Sequence, residues 1–450
     1  MDPARIIFVG DLHLGRRPSA LPDDLADLGL RPSLLGPDEV WRRTVALARD
    51  EGAHAVVLAG DVVDREDDRF GAGRVLRTGV AALVEAGIPV FSVVGNHDVT
   101  ALPRVAEAVP GFRLLGARGE WEAVQLEREG VVPCQLLGWS FPTQRVDTSP
   151  VAGLDRSLAS PGVATLGVLH CDLDASGGGY APVRSAELDE AGLDAWLLGH
   201  IHKPGDLAER PVGYLGSMTG LDAGETGPHG PWWVEVEGPG RVHARQVPLA
   251  PIRYETFDCA LTGLREEDRE GTADDFSGRI RSGVEALHRR LEREGVVGPG
   301  RAGLVVCRVR VRGAERHRPH VRRVLFDDQF IATETIGSIH YAIEKVVEDA
   351  RPDLDLDALA QRHDAPGRLA RRLVDLRDGN ADATPLLVRA AAALDAEVAG
   401  GRFSQLDAPP WAGDGGDDAL VDLLLHAGTR ELEGLLAQKA VAFAGAEGAS

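Results

Sequence analysis

The sequence predicts an α/β fold in which two stacked sheets are flanked by helices (αββα), followed by a small α+β domain and a helical C-terminal region. Three observations lead there. Five apolar runs in the first half each end in a polar motif, helical patterns lie between them, and the composition shifts near Pro248–Pro251. At 450 residues the chain is too long for one ordinary core, so more than one domain is expected.

In order, Ile6–Val9 leads into Asp11, Leu12 and His13, and Ala55–Ala59 leads into Gly60 and Asp61. Pro89–Val94 leads into Gly95, Asn96, His97 and Asp98. Val163–Leu169 leads into His170, and Ala195–Leu198 into Gly199, His200, Ile201 and His202. Continuous apolar runs bounded by glycine read as strands buried on both faces. Each motif then sits at the C-terminal end of a core strand, where open α/β sheets place their ligands. Helices are predicted over 38–49, where Val40, Trp41, Val45 and Ala48 keep helical spacing, over 72–86 before Gly87, and over 188–193. From 212 to 249 glycine, proline and the strand around Trp232, Trp233, Val234 and Val236 suit a second sheet, which completes a first domain over 1–250.

Residues 251–332 read as strand, helix (about 274–294) and strand, a small capping domain. In its last strand Val305, Cys307, Val309 and Val311 alternate with Val306, Arg308, Arg310 and Arg312, giving one apolar and one mostly cationic face. Residues 333–450 read as helical: 334–350, then 366–377 with Leu369, Leu373 and Leu376 on one face. Thr384 and Pro385 open a helix to about 399, and a loop over 407–417 precedes a last helix over 418–440.

Cys134, Cys171, Cys259 and Cys307 lie far apart with no CxxC pair, which excludes a zinc knuckle or a disulfide framework as the organising device. The first apolar run is too short for a signal peptide and no stretch approaches the roughly 20 residues of a membrane span. A reduced, cytoplasmic location is the expectation.

Singly, each motif is weak, since Asp-x-His or Gly-Asp occurs in ordinary turns. Five together, each at a strand end, point to chemistry. Asp11, His13, Asp61, Asn96, His170, His200 and His202 offer oxygen and imidazole ligands without thiolates, a mixture suited to Mn²⁺, Fe²⁺ or Zn²⁺. Seven ligands suit two ions with one carboxylate shared, and Asp61, in the middle of the set, is the expected bridge. Two ions about 3.5–4 Å apart clamp both oxygens of an in-line displacement at phosphorus.

The series DLHLG, GDVVDRE, GNHD, LH and GHIH resembles the calcineurin-like metallophosphoesterase superfamily. Within it, Asp11–Gly15, Tyr180–Pro182, His200–Lys203, Tyr214–Ser217 and Gly224–Gly227 are similar to the SbcD-type DNA repair nucleases. The resemblance implies a two-metal DNA exo/endonuclease, most simply with Mn²⁺. Asp11, His13, Asp61 and His202 would hold one ion, and Asp61, Asn96, His170 and His200 the other. His97 would stabilise or protonate the leaving 3′ oxygen, with Asp98 orienting it. Asp64 and Arg65 are less determined: Asp64 either supports His97 or is a solvated carboxylate.

The resemblance further implies homodimerisation and a coiled-coil ATPase partner of the SbcC type, with 333–450 as a docking region. Arg308, Arg310, Arg312 and the run Arg316–Arg323 read either as DNA-phosphate contacts or as a solvated face of an Arg-rich protein. His54, His229, His243 and His288 follow no motif and read as structural. The net charge of −21 is unfavourable for a DNA enzyme, so bound cations or a partner's basic surface would have to offset it. The competing reading keeps the metals and changes the substrate to a nucleotide or other small phosphoester.

Overall fold

Along β1 (Ala4–Val9) alternate residues face opposite ways, and this decides the layers: Ile6 and Phe8 join one apolar cluster, Ile7 and Val9 another. The computed structural model describes residues 3–23, 25–64, 69–128, 130–174, 179–261, 263–264, 269–312, 324, 333–348, 354–380, 384–397 and 416–447. Compactness divides the chain into two units, Met1–Phe257 with Val284–Arg308 and Ile331–Lys345, and Asp258–Gly283 with Val309–Phe330 and Val346–Ser450.

In the first unit, α1 (Pro37–Asp50), β2 (Ala55–Ala59), α2 (Arg69–Glu85), β3 (Val90–Val93), α3 (Ala101–Ala108) and β4 (Phe112–Leu114) follow β1. Then come β5 (Glu122–Arg128), β6 (Val131–Gly138), β7 (Ala164–His170), α4 (Ser185–Ala191), β8 (Ala195–Gly199), β9 (Val212–Tyr214), β10 (Trp232–Gly238) and β11 (Arg241–Gln246). One sheet runs β11-β10-β1-β2-β3-β4 and the second β5-β6-β7-β8-β9. Ile6, Phe8, Val57 and Val93 of the first meet Leu136, Leu166, Val168 and Leu197 of the second in one core. Outside the first sheet, Ile7, Val56 and Leu58 pack with Trp41, Val45, Leu76 and Val80 of α1 and α2. Gly79 makes that helix packing close, because a Cβ there would meet the Trp41 Nε1 at 2.2 Å. Outside the second sheet, Leu169, Trp196 and Leu198 pack with Trp139, Phe141 and Leu188. The expected helix–sheet–sheet–helix layering is therefore present.

Two expectations fail here. The aromatic strands over 232–246 do not belong to the second sheet: β10 pairs antiparallel with β1, Ile6 opposite Val234, so Trp232 and Val234 face the same inter-sheet core as Ile6 and Phe8. Of the helix expected over 334–350, the described residues instead form a hairpin of β14 (Thr333–Ile336) and β15 (Ile339–Glu348). Ile336 pairs with Ile339 across a two-residue turn whose Gly337 has φ 62°, a Gly-x turn that selects a hairpin. With β12 (Ile252–Ala260) and β13 (Leu304–Arg312), which flank α5 (Arg269–Arg293), they form a sheet in the order β12-β13-β15-β14. Within the first unit Ile252, Tyr254, Leu304, Val306 and Ala342 pack against Leu25 and Leu35.

The second unit holds α6 (Leu356–Ala360), α7 (Ala365–Arg377), α8 (Thr384–Glu397) and α9 (Gly416–Glu447). The side chains of Asp355 and Asp364 cap α6 and α7 by accepting from Ala358 N–H and Gly367 N–H, both at 2.9 Å. Leu373 and Leu376 of the predicted stripe are buried with Ala360, Ala370 and Leu432. No described helix is long and apolar enough to cross a membrane.

Candidate metal centre

The strand ends deliver the motifs to one place. Asp11 follows β1, Asp61 follows β2, Asn96 follows β3, His170 ends β7, and His200 and His202 follow β8. Three motif residues take left-handed backbone: His13 at φ 46°, Asp61 at 47° and His200 at 108°. For non-glycine residues this conformation costs on the order of 1–3 kcal/mol, and it clusters where a site dictates the chain path. The motif glycines allow the backbones to touch. A Cβ on Gly95 would lie 2.2 Å from Asp61 Oδ1, and one on Gly199 would lie 2.2 Å from the Ala59 carbonyl oxygen.

Asp11, His13, Asp61, Asn96 and His170 are all buried. Asp11 accepts the His200 backbone N–H on both oxygens, at 2.9 and 3.1 Å. His13 Nε2 and His202 Nε2 lie 3.0 Å apart. Asp61 Oδ2 lies 3.5 Å from His170 Nε2 and 4.0 Å from His13 Nε2, while Asp61 Oδ1 accepts the His97 backbone N–H at 3.1 Å. Two sets of ligand atoms fall within 4.8 Å of one another: Asp11, His13 and His202, and Asp11, Asp61 and His170. Asp11 is common to both sets, and Asp61, the expected bridge, lies between His13 and His170.

The ring nitrogens test whether a cation fits. His170 Nδ1 faces the Ala59 carbonyl oxygen at 3.0 Å and must donate to it, so its Nε2 lone pair faces Asn96 Oδ1 at 2.9 Å and the Asp61 carboxylate. His202 Nδ1 contacts Glu225 Oε1 at 2.7 Å, and His13 Nδ1 lies 3.2 Å from Asp64 Oδ1. Carboxylates on both outer nitrogens favour N–H there and leave two Nε2 lone pairs pointing at each other. Lone pairs directed at lone pairs and at carboxylates repel unless positive charge lies among them, so the donor set fits divalent cations. Burial pulls the His170 imidazole below its ordinary range despite Asp61 and Asp11, which keeps it a neutral donor. At His202 burial acts the same way, but the Glu225 and Asp11 carboxylates together outweigh it and hold the imidazole above its ordinary range.

His200 joins neither tight set. Its Nε2 contacts Asp172 Oδ1 at 2.8 Å, and its ring lies 5.1 Å, centroid to centroid, from that of His170. His97 is exposed beside the cluster, its ring centroid 5.7 Å from that of His13. Asp98, expected to orient His97 without binding metal itself, accepts from Val62 N–H at 2.7 Å and Gly95 N–H at 2.8 Å and so anchors the turn that carries His97. Asp64, expected at His97 or in solvent, lies against His13, with Arg16 at 3.7 Å. Asp172 and the contact role of Glu225 were missed; both stand on loops, and only the Gly224-Glu225 pair gave a signal.

The cationic strand is internally compensated. Arg308 pairs with Glu344 at 3.1 Å, and Arg310 and Arg312 share Asp258 at 2.9 and 3.2 Å. Arg65 and the run Arg316–Arg323 lie outside the described residues. Of the four histidines read as structural, His54 accepts from the Arg5 backbone N–H at 3.0 Å and His288 contacts the Tyr341 hydroxyl at 2.8 Å.

Residues 4–204 match the calcineurin-like phosphoesterase family. The chain is 30% identical over 199 residues to the uncharacterized metallophosphoesterase YhaO of Bacillus subtilis, covering 43% of this chain and 48% of YhaO. It is 29% identical over 238 residues to the DNA double-strand break repair protein Mre11 of Halobacterium salinarum, covering 50% of this chain and 55% of that one. To the Mre11 of Haloferax volcanii it is 30% identical over 277 residues, covering 58% and 55%. The chain thus spans about half the length of these curated relatives.

Proposed function

We propose that this chain, whose residues 4–204 match the calcineurin-like phosphoesterase family, is a metal-dependent hydrolase of phosphodiester bonds in DNA. The observation that carries the reading is the convergence of buried carboxylates and imidazole lone pairs on one spot, with the exposed His97 at its edge. Asp11, His13, Asp61 and His202 would hold one ion and Asp61, Asn96, His170 and His200 the other, with Mn²⁺ the proposed metal. When bound, two such ions supply the charge that stabilises an in-line displacement at phosphorus.

The chain's own residues do the rest. Asp61 Oδ1 fixes the His97 backbone, and Asp98 fixes the turn through Val62 and Gly95. In this reading His97 stabilises or protonates the leaving 3′ oxygen. Two relatives that carry the name of a DNA double-strand break repair protein support DNA as the substrate. A coiled-coil ATPase of the SbcC type and a second copy of this chain are the proposed partners, which would supply the basic surface that a chain of net charge −21 lacks.

A second reading, a phosphodiesterase or phosphatase for a nucleotide or other small phosphoester, is favoured by the pairing of Arg308, Arg310 and Arg312 with carboxylates. Purified protein with Mn²⁺ is assayed on labelled DNA, a chromogenic phosphodiester and a phosphomonoester side by side. Cleavage of DNA supports the first reading; turnover of the small esters with intact DNA replaces it by the second.

A further inference from the structure

We infer that Glu225, which belongs to none of the strand-end motifs, is the positioning residue that presents His202 Nε2 to the metal centre. Its carboxylate is committed on both sides. Oε1 takes the His202 Nδ1–H at 2.7 Å, while Oε2 accepts from Leu221 N–H at 2.9 Å and Ser217 Oγ at 3.2 Å. Ser217 in turn donates its backbone N–H to the His202 carbonyl at 2.8 Å, so the loop closes on the residue it orients. His229, only 2% exposed, braces the arrangement: its Nδ1 faces the Ser217 carbonyl at 3.0 Å and its Nε2 the Glu225 carbonyl at 3.2 Å.

A carboxylate held this rigidly leaves His202 one stable neutral form, with the proton on Nδ1 and the lone pair on Nε2. That lone pair is aimed at His13 and Asp11. Without Glu225 the imidazole is free to protonate Nε2 or rotate, and either loses the donor. Outer partners of this kind typically change metal affinity by about 10–100-fold. The inference rests on the metal-centre part of the proposed function and is independent of the substrate.

The test compares wild type with Glu225→Ala, Glu225→Gln and Ser217→Ala. Histidine ¹⁵N spectra of the metal-free proteins report which ring nitrogen carries the proton, and calorimetric titration with Mn²⁺ reports affinity. Glu225→Ala is expected to lose the single Nδ1–H form of His202 and about 10–100-fold in affinity. Glu225→Gln, whose amide oxygen still accepts from Nδ1–H, is expected to recover part of both and serves if the alanine variant does not fold. Ser217→Ala is expected to fall between wild type and Glu225→Ala. An unchanged His202 form with unchanged Mn²⁺ affinity in Glu225→Ala and Glu225→Gln overturns the inference. Absence of Mn²⁺ binding in wild type overturns the metal-centre reading instead, while the spectra still decide the positioning role.

Discussion

His13 and His202 face each other through their Nε2 atoms at 3.0 Å, each with a carboxylate, Asp64 or Glu225, at its outer nitrogen. The fold holds the two ring nitrogens there with His13 in left-handed backbone, both within reach of one cation. A divalent cation beside them would take both Nε2 atoms as donors.

Divalent metal is expected to stabilise the native protein. Saturation at about 100 times the dissociation constant contributes about 2.7 kcal/mol. For a domain of this size that raises the melting temperature by about 5–10 °C. Calorimetric melts with Mn²⁺ and with EDTA check this, and His13→Ala is expected to remove most of the difference.

His97→Ala separates chemistry from metal binding. The His97 side chain is exposed and belongs to neither close ligand set. Turnover should fall by about 10²–10⁴-fold, the usual worth of a positioned proton donor, while Mn²⁺ affinity stays at the wild-type value. Single-turnover hydrolysis beside metal titration checks both halves.

Asp98→Ala leaves the buried Val62 and Gly95 N–H groups without an acceptor. The expected loss is about 2–4 kcal/mol, measured by urea unfolding in EDTA. Asp98→Asn keeps one acceptor oxygen and should recover part of it. Because Gly95 precedes Asn96 and His97, the alanine variant should lose turnover as well.

The four cysteines are buried, and burial pushes their thiols up: Cys134 to about 12 and Cys259 to about 11, with Cys171 and Cys307 shifted in the same direction. A raised thiol pKa means less thiolate at any given pH, so alkylation at pH 8 should be slow in the native state and fast in denaturant. Rapid native labelling of any one of them would contradict its placement.

The motif strands were legible because strands buried on both faces read as unbroken apolar runs, and Asp11, Asp61, Asn96, His170 and His200 stand at or just past their ends. Sheet membership was less so. Trp232 and Val234 announce a strand, but nothing local says that β1 is their partner, because either sheet offers an equivalent apolar face. The Ile339–Glu348 strand was misread as helix even though Gly337 and Ser338 mark a hairpin turn; its charged residues, Glu344, Lys345 and Glu348, imitate an amphipathic helix. Asp172 gave no signal, and Glu225 only its place in a glycine-rich segment, for a different reason. They reach His200 and His202 through loop paths that tertiary packing sets, with no periodicity to betray them.

A two-ion hydrolytic centre ties metal stoichiometry to phosphodiester hydrolysis, and measuring both together is its sharpest test. EDTA-stripped protein is reloaded with Mn²⁺ in steps, and bound metal and hydrolysis are measured on the same samples. Hydrolysis is expected to be absent in the stripped protein and to reach its maximum as the second equivalent binds, with Asp61→Asn unable to reach it. Full hydrolysis by stripped protein, or saturation at one equivalent with full hydrolysis, would contradict it.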